Sequence, residues 1–140
     1  MRHGIAITRN PLLRPLLALL GISSGNSWVD LDTRGLAVRM GRWFETVVPI
    51  ADIAAFGPSE WPAWGGYGIK LAPRQGVAVV ASTEGIVHIA LRQPRRMSVV
   101  IMSRDAERLW LSVENHEAFL AELSGLTGLP VAPPVGFWRE

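Results

Sequence analysis

The sequence predicts one mainly β (α+β) domain: a bent antiparallel barrel of about seven short strands, capped by a C-terminal α-helix and preceded by a short N-terminal helix. Three observations predict it. Between Ser27 and Val113 the apolar residues alternate with a period of two, interrupted by short turns rich in Gly, Pro, Asp and Ser. After Val113 the apolar spacing changes to that of a helix. The 140 residues contain no internal repeat and no linker, which fits a single domain. Its expected extent is 1–126, with 127–140 as a Pro-rich tail.

The elements follow in order. Residues 1–10 read as an extended lead-in with Ile5 and Ile7 alternating. Asn10-Pro11 is a helix start, because Asn caps and Pro tolerates the first turn. Leu12, Leu13, Leu16, Leu17 and Leu20 share one helical face, expected to lie on the core, and Gly21 ends the helix. From Ser27 the period is two. Val29 and Leu31 point inward, Thr33-Arg34-Gly35 turns, and Leu36, Val38 and Met40 point inward with Arg39 outward. Trp43 to Val48 completes a three-stranded meander, and Pro49 breaks it.

Ile50 to Phe56 continues the chain into a Gly-, Pro- and aromatic-rich loop over 57–68. Further strands are expected at 68–71, 77–81 and 86–91, then a basic loop over Arg92–Arg96 and a last strand at 109–113. Val99 to Met102 reads either as a short strand or as loop. A helix over 115–125 follows, capped by Asn115, with Phe119, Leu120, Leu123 and Leu126 as its apolar stripe. The tail is expected to run irregularly along the surface.

This order of elements resembles bacterial pleckstrin-homology-like (PH-like) domains, in particular small actinobacterial proteins of unknown function. The resemblance rests on Val29–Asp32 with Gly35–Met40, on Trp64–Leu71, on Ser82–Leu91, and on Leu109–Leu120. In the last of these, Glu114-Asn115-His116-Glu117-Ala118 resembles the family's Asp-Pro-Glu-Ala turn into the final helix. The resemblance covers residues 10–125 and implies a fold more than a function. Lipid-binding members gather cations around the first hairpin. Here that turn is Asp32-Thr33-Arg34-Gly35 with Asp30 nearby, a poor cradle for a polyphosphate.

Composition excludes several functions. The chain has no cysteine, which removes disulfides, thiol catalysis and cysteine zinc sites, and suits a reducing cytoplasm. Net charge is +2, and Lys70 is the single lysine. Acids are interleaved with the arginines, so no basic face for nucleic acid is expected. The run Leu12–Ile22 carries Arg14 and Pro15 and falls short of the ~20 apolar residues of a membrane span.

Catalytic signals are weak. Gly21-Ile22-Ser23-Ser24-Gly25 matches the G-x-S-x-G pattern, but that elbow needs a strand before the serine and a helix after it, the reverse of the order here. His3, His88 and His116 have no metal-ligand spacing. His88 reads as a strand wall residue and His116 as an exposed one. Asp30, Asp32 and Asp52 read as solubilising or turn-forming residues. No enzyme activity and no cofactor are expected.

Two groups remain as candidates for partner binding. Trp61, Trp64 and Tyr67 form an aromatic loop that either binds or caps the barrel's open end. Arg92, Arg95 and Arg96 form the densest cationic cluster, suited to a carboxylate, a phosphate or a solvated edge. The expected function is non-catalytic binding of another protein. The alternative is a peripheral membrane or anionic-ligand module using the leucine stripe and the arginines.

Overall fold

A computed structural model describes residues 2–5, 27–41, 44–59, 68–72, 76–80, 82, 85–99 and 102–133. The N-terminal helix and its leucines, the Ser23 motif and the aromatic loop with Trp61, Trp64 and Tyr67 lie outside them.

The chain is mainly β with one C-terminal helix. Its strands are β1 (Arg2–Gly4), β2 (Ser27–Leu31), β3 (Gly35–Met40), β4 (Phe44–Pro49), β5 (Ile53–Pro58), β6 (Gly68–Ala72), β7 (Gly76–Val80), β8 (Ile86–Val99) and β9 (Met102–Ser112). A 3-10 turn, Ile50–Asp52, joins β4 to β5, and α1 spans His116–Thr127. The hydrogen-bonded order is β1-β2-β3-β4-β8-β9-β7-β6, with β5 also paired to β8. One bridge, Ile5 to Val113, and a bond from the Glu114 amide to the Gly4 carbonyl (2.9 Å) tie β1 to the end of β9.

The meander β2–β3–β4 forms as its alternation dictates. Val29, Leu31, Leu36, Val38, Met40, Phe44 and Val48 are all buried in one core. Its first turn is locked by Asp32, whose Oδ1 accepts from the Arg34 amide (2.8 Å) and the Gly35 amide (3.2 Å). The Arg34 amide above all, helped by the Gly35 amide and the Arg34 guanidinium, holds the Asp32 carboxyl below its ordinary value against an opposing effect of desolvation. A carboxyl lowered on folding stabilises the fold above its unfolded-state value, and the contribution is lost as pH falls through the folded one. Asp32→Asn keeps an acceptor but removes the charge. Its melting temperature should lie slightly below wild type at neutral pH, and the gap should close in acid. A gap of constant size across the carboxylate range would refute the charge effect.

Two expectations need correction. Nine strands, not about seven, occur among the described residues, and β7 pairs with β9 in parallel. All five residues of β7 are buried. A short apolar run buried on both faces belongs inside a sheet, and that is its place here, between β9 and β6.

The second correction is that the basic segment 92–96 is not a loop. It lies within the 14-residue β8, which forms a long hairpin with β9. Ala90 pairs with Arg108 and Arg95 with Ala106, so four residues of β8 face one of β9. This bulge accommodates Pro94, which lacks an amide for a regular ladder. The bend it produces lets one edge of β8 serve two strands. Val87–Leu91 pair with β5, and Ser98–Val99 pair with β4.

The tail, of which 128–133 are described, is irregular and at the surface as expected, and it is held in place there. Gly128 ends α1 in the left-handed conformation (φ 74°), its amide bonding the Ser124 carbonyl at 2.9 Å. Ser124 Oγ donates to the Leu129 carbonyl (2.6 Å), and the Leu129 amide donates to Thr127 Oγ1 (3.2 Å). Leu129 packs against the core, and the Ala132 amide reaches the Phe56 carbonyl at 2.9 Å. The tail is therefore docked on the outer edge of β5. Gly57 permits this approach, because a Cβ there would stand 2.6 Å from the Ala132 carbonyl oxygen.

The helix itself forms as read. Asn115 Oδ1 accepts from the Ala118 amide (3.4 Å), and Glu117 favours the helix N-terminus. Phe119, Leu120 and Leu123 are buried in the main core. A second, smaller cluster of Ala78, Val80, Ile86 and Trp110 is buried on the opposite face of β7–β9.

Candidate functional site

The bulge of β8 presents the arginine cluster on the β8–β9 hairpin. Arg92 and Arg96 are exposed, and Arg95 is half-buried. Each guanidinium lies near an acceptor on a neighbouring element. Arg92 Nε donates to the Ala51 carbonyl in the 3-10 turn (2.9 Å). Arg95 Nη1 donates to Asp52 Oδ2 (2.9 Å), and Gln93 Nε2 donates to Asp52 Oδ1 (3.3 Å). Arg96 Nε lies 3.5 Å from Asp105 Oδ1, directly across the hairpin.

Asp52 thus has a role that the sequence reading missed. It is buried rather than a solubilising turn residue, and it pins the bulge to the β4–β5 connection. Its partner stands 43 residues away, and no local pattern signals a pair of that separation. Three guanidiniums face two carboxylates here, so the patch is of mixed charge.

The histidines separate. His88 is buried in β8 and its ring lies 4.8 Å from that of Trp110. Arg108 Nη1 donates to His88 Nε2 at 3.2 Å. Because a guanidinium only donates, that nitrogen carries the lone pair, and the neutral ring bears its proton on Nδ1. His88 is a wall residue, as expected from its strand position, but a polar contact holds it. His3 is buried beside α1. Its Nε2 donates to Glu122 Oε1 (3.0 Å), and its ring meets Phe119 edge-on at 5.2 Å. His116, expected to be exposed, is half-buried at the first residue of α1.

On the outer face of the first sheet strands, Trp28 lies between two cations. The Arg2 guanidinium is 4.4 Å from its ring centre and that of Arg39 5.5 Å. Arg2 also pairs with Asp30 (3.6 Å), and Arg39 Nε donates to the Gly41 carbonyl (3.2 Å).

Among the described residues, no group of three His, Asp or Glu side chains is placed to hold a metal ion. Among them, too, no helix is long and apolar enough to cross a membrane. No protein-family model, no curated protein and no solved structure matches the chain.

Proposed function

We propose that this chain is a non-catalytic, PH-like binding domain that engages another protein, with Arg92, Arg95 and Arg96 in the contact surface. The observation that carries the reading is the fixing of Arg92 and Arg95 by hydrogen bonds. Arginine is over-represented at the energetic centres of protein interfaces. Association costs less when such side chains are ordered beforehand. Arg92 is exposed yet held at its Nε by the Ala51 carbonyl, and Arg95 is held by Asp52, so partner contacts would be made by guanidiniums already in place. The carboxylates of Asp52 and Asp105 beside them favour a partner surface of mixed charge over an anionic bilayer. The PH-like reading treats the Ile5–Val113 bridge as the seam of a closed barrel with α1 over its end.

The aromatic loop with Trp61, Trp64 and Tyr67 belongs to the same proposal as a second contact element. Peripheral binding to anionic membrane is the competing outcome. The test pairs two measurements on wild type and an Arg92→Glu/Arg96→Glu variant. Affinity capture from an extract of the native host should recover a partner with wild type and lose it with the variant. Flotation with vesicles containing phosphatidylserine should recover neither. Flotation of wild type alone would replace the protein-binding reading with the membrane one.

A further inference from the structure

We propose that the outer face of the sheet, from β1 across β4 to β9, is a two-fold interface with a second copy of this chain. The pairing register carries the inference. These strands lie side by side in the order β1-β2-β3-β4-β8-β9. Their inward residues fill the core, and the residues between them form two rows across the outer face. One row pairs Arg2, Asp30, Ala37 and Val47, in that order from β1 to β4. The other pairs Gly4, Trp28, Arg39 and Glu45, and Glu45 in turn pairs with Ser98 of β8. Two residues along β8 from Ser98, Arg96 continues the first row, and it pairs with Asp105 of β9. Their neighbours Met97 and Ala106 are buried, so Arg96 and Asp105 stand on the outer side with the rest.

From β1 to β9 the first row therefore runs cation, carboxylate, two apolar residues, cation, carboxylate. The second row has its cation and its carboxylate on the central strands β3 and β4. A two-fold axis along the strands between β3 and β4 lays β3 over β4, β2 over β8 and β1 over β9 of the second copy. Arg39 then meets Glu45, Asp30 meets Arg96, and Arg2 meets Asp105, while Ala37 meets Val47 beside the axis. Every one of these charges falls opposite the other sign, which is the self-complementarity that an isologous contact requires. Any other partner would have to supply the inverse of this order, whereas a second copy supplies it by symmetry. Val47 is 60% exposed, the most exposed large apolar side chain among the described residues. Arg2 and Arg39 are held over the Trp28 ring, which lowers the cost of ordering them at a contact. Stacked sheets cross at about 30°, so the central pairs meet best and the long side chains of Arg2 and Arg96 reach for the outer ones. Exposed ion pairs are individually weak, so the dimer forms at high concentration and is sensitive to salt.

The inference shares Arg96 with the proposed contact surface but needs no foreign partner, so its test uses the purified full chain alone. Failure of the dimer leaves capture of another protein through Arg92 and Arg95 unaffected. Sedimentation velocity should show monomer at about 10 µM and a growing dimer fraction towards about 1 mM, with the dissociation constant raised about tenfold in about 0.5 M salt. Arg39→Glu alone and Glu45→Arg alone put like charges across the axis, and each variant should stay monomeric. An equimolar mixture of the two restores both contacts and should dimerise as wild type does. Both positions are exposed, so each variant should keep its fold. Val47→Asp places a charge beside the axis and should also give monomer. Wild type that stays monomeric at about 1 mM, single variants that still dimerise, or a mixture that does not would overturn the assignment.

Discussion

Phe119→Ala should lower the unfolding free energy by about 3–5 kcal/mol, the cost of removing a fully buried aromatic ring and leaving a cavity. Phe119 has no solvent exposure and is part of the main core. The variant also strips His3 of its edge-on ring contact and leaves the His3–Glu122 bond as the main side-chain tie between β1 and α1. Two effects are therefore expected in one protein. Chemical denaturation should show the global loss, and amide exchange should show β1 opening before the meander. A loss below about 1 kcal/mol would mean that α1 does not press its apolar stripe into the core as described.

Trp110→Ala should cost a similar amount, about 3–5 kcal/mol, but by emptying the other face of the sheet. Trp110 is fully buried with Ala78, Val80 and Ile86, and its ring packs on His88. Here the expected exchange pattern is the reverse. Protection should fall in β7 and the first half of β8, while α1 and β1 keep theirs. Loss of protection in α1 as large as that in β7 would show that the two clusters do not behave as separate layers.

The distinction between these layers was only partly legible in the sequence. The alternation over Val29–Leu31 and Leu36–Met40 assigns inward and outward residues correctly, since one face of that meander is buried and the other is solvated. The cap at Asn115 and the stripe Phe119–Leu120–Leu123 are local signals, and they place the helix within a residue or two. Strand β7 has no such signal. Gly76-Val77-Ala78-Val79-Val80 is apolar on both faces, and no local pattern says that β9 enters beside it in parallel. In β8 the proline and arginines imitate a loop, because a bulge needs the same residues.

The candidate site divides in the same way. Clustering of Arg92, Arg95 and Arg96 is visible in the chain. Their acceptors at Ala51, Asp52 and Asp105 are brought in by the β4–β5 connection and the hairpin partner. The His3–Glu122 pair joins positions 119 residues apart, so only the folded topology brings them together.

The docked tail has one more consequence, for colloidal behaviour. Among the described strands β5 pairs with β8 alone, and its other edge would offer bare carbonyls to any passing strand. Residues 128–133 run along that edge as a prolyl segment, Pro130 and Pro133 flanking the Ala132–Phe56 bond. Proline cannot continue a ladder, so the segment occupies the edge without extending the sheet outward. This segment thus acts as a terminator of sheet growth. A chain shortened to Thr127 would lose the Gly128 cap and the Leu129 contact, and would also expose a sticky seam along which copies could join into fibrils.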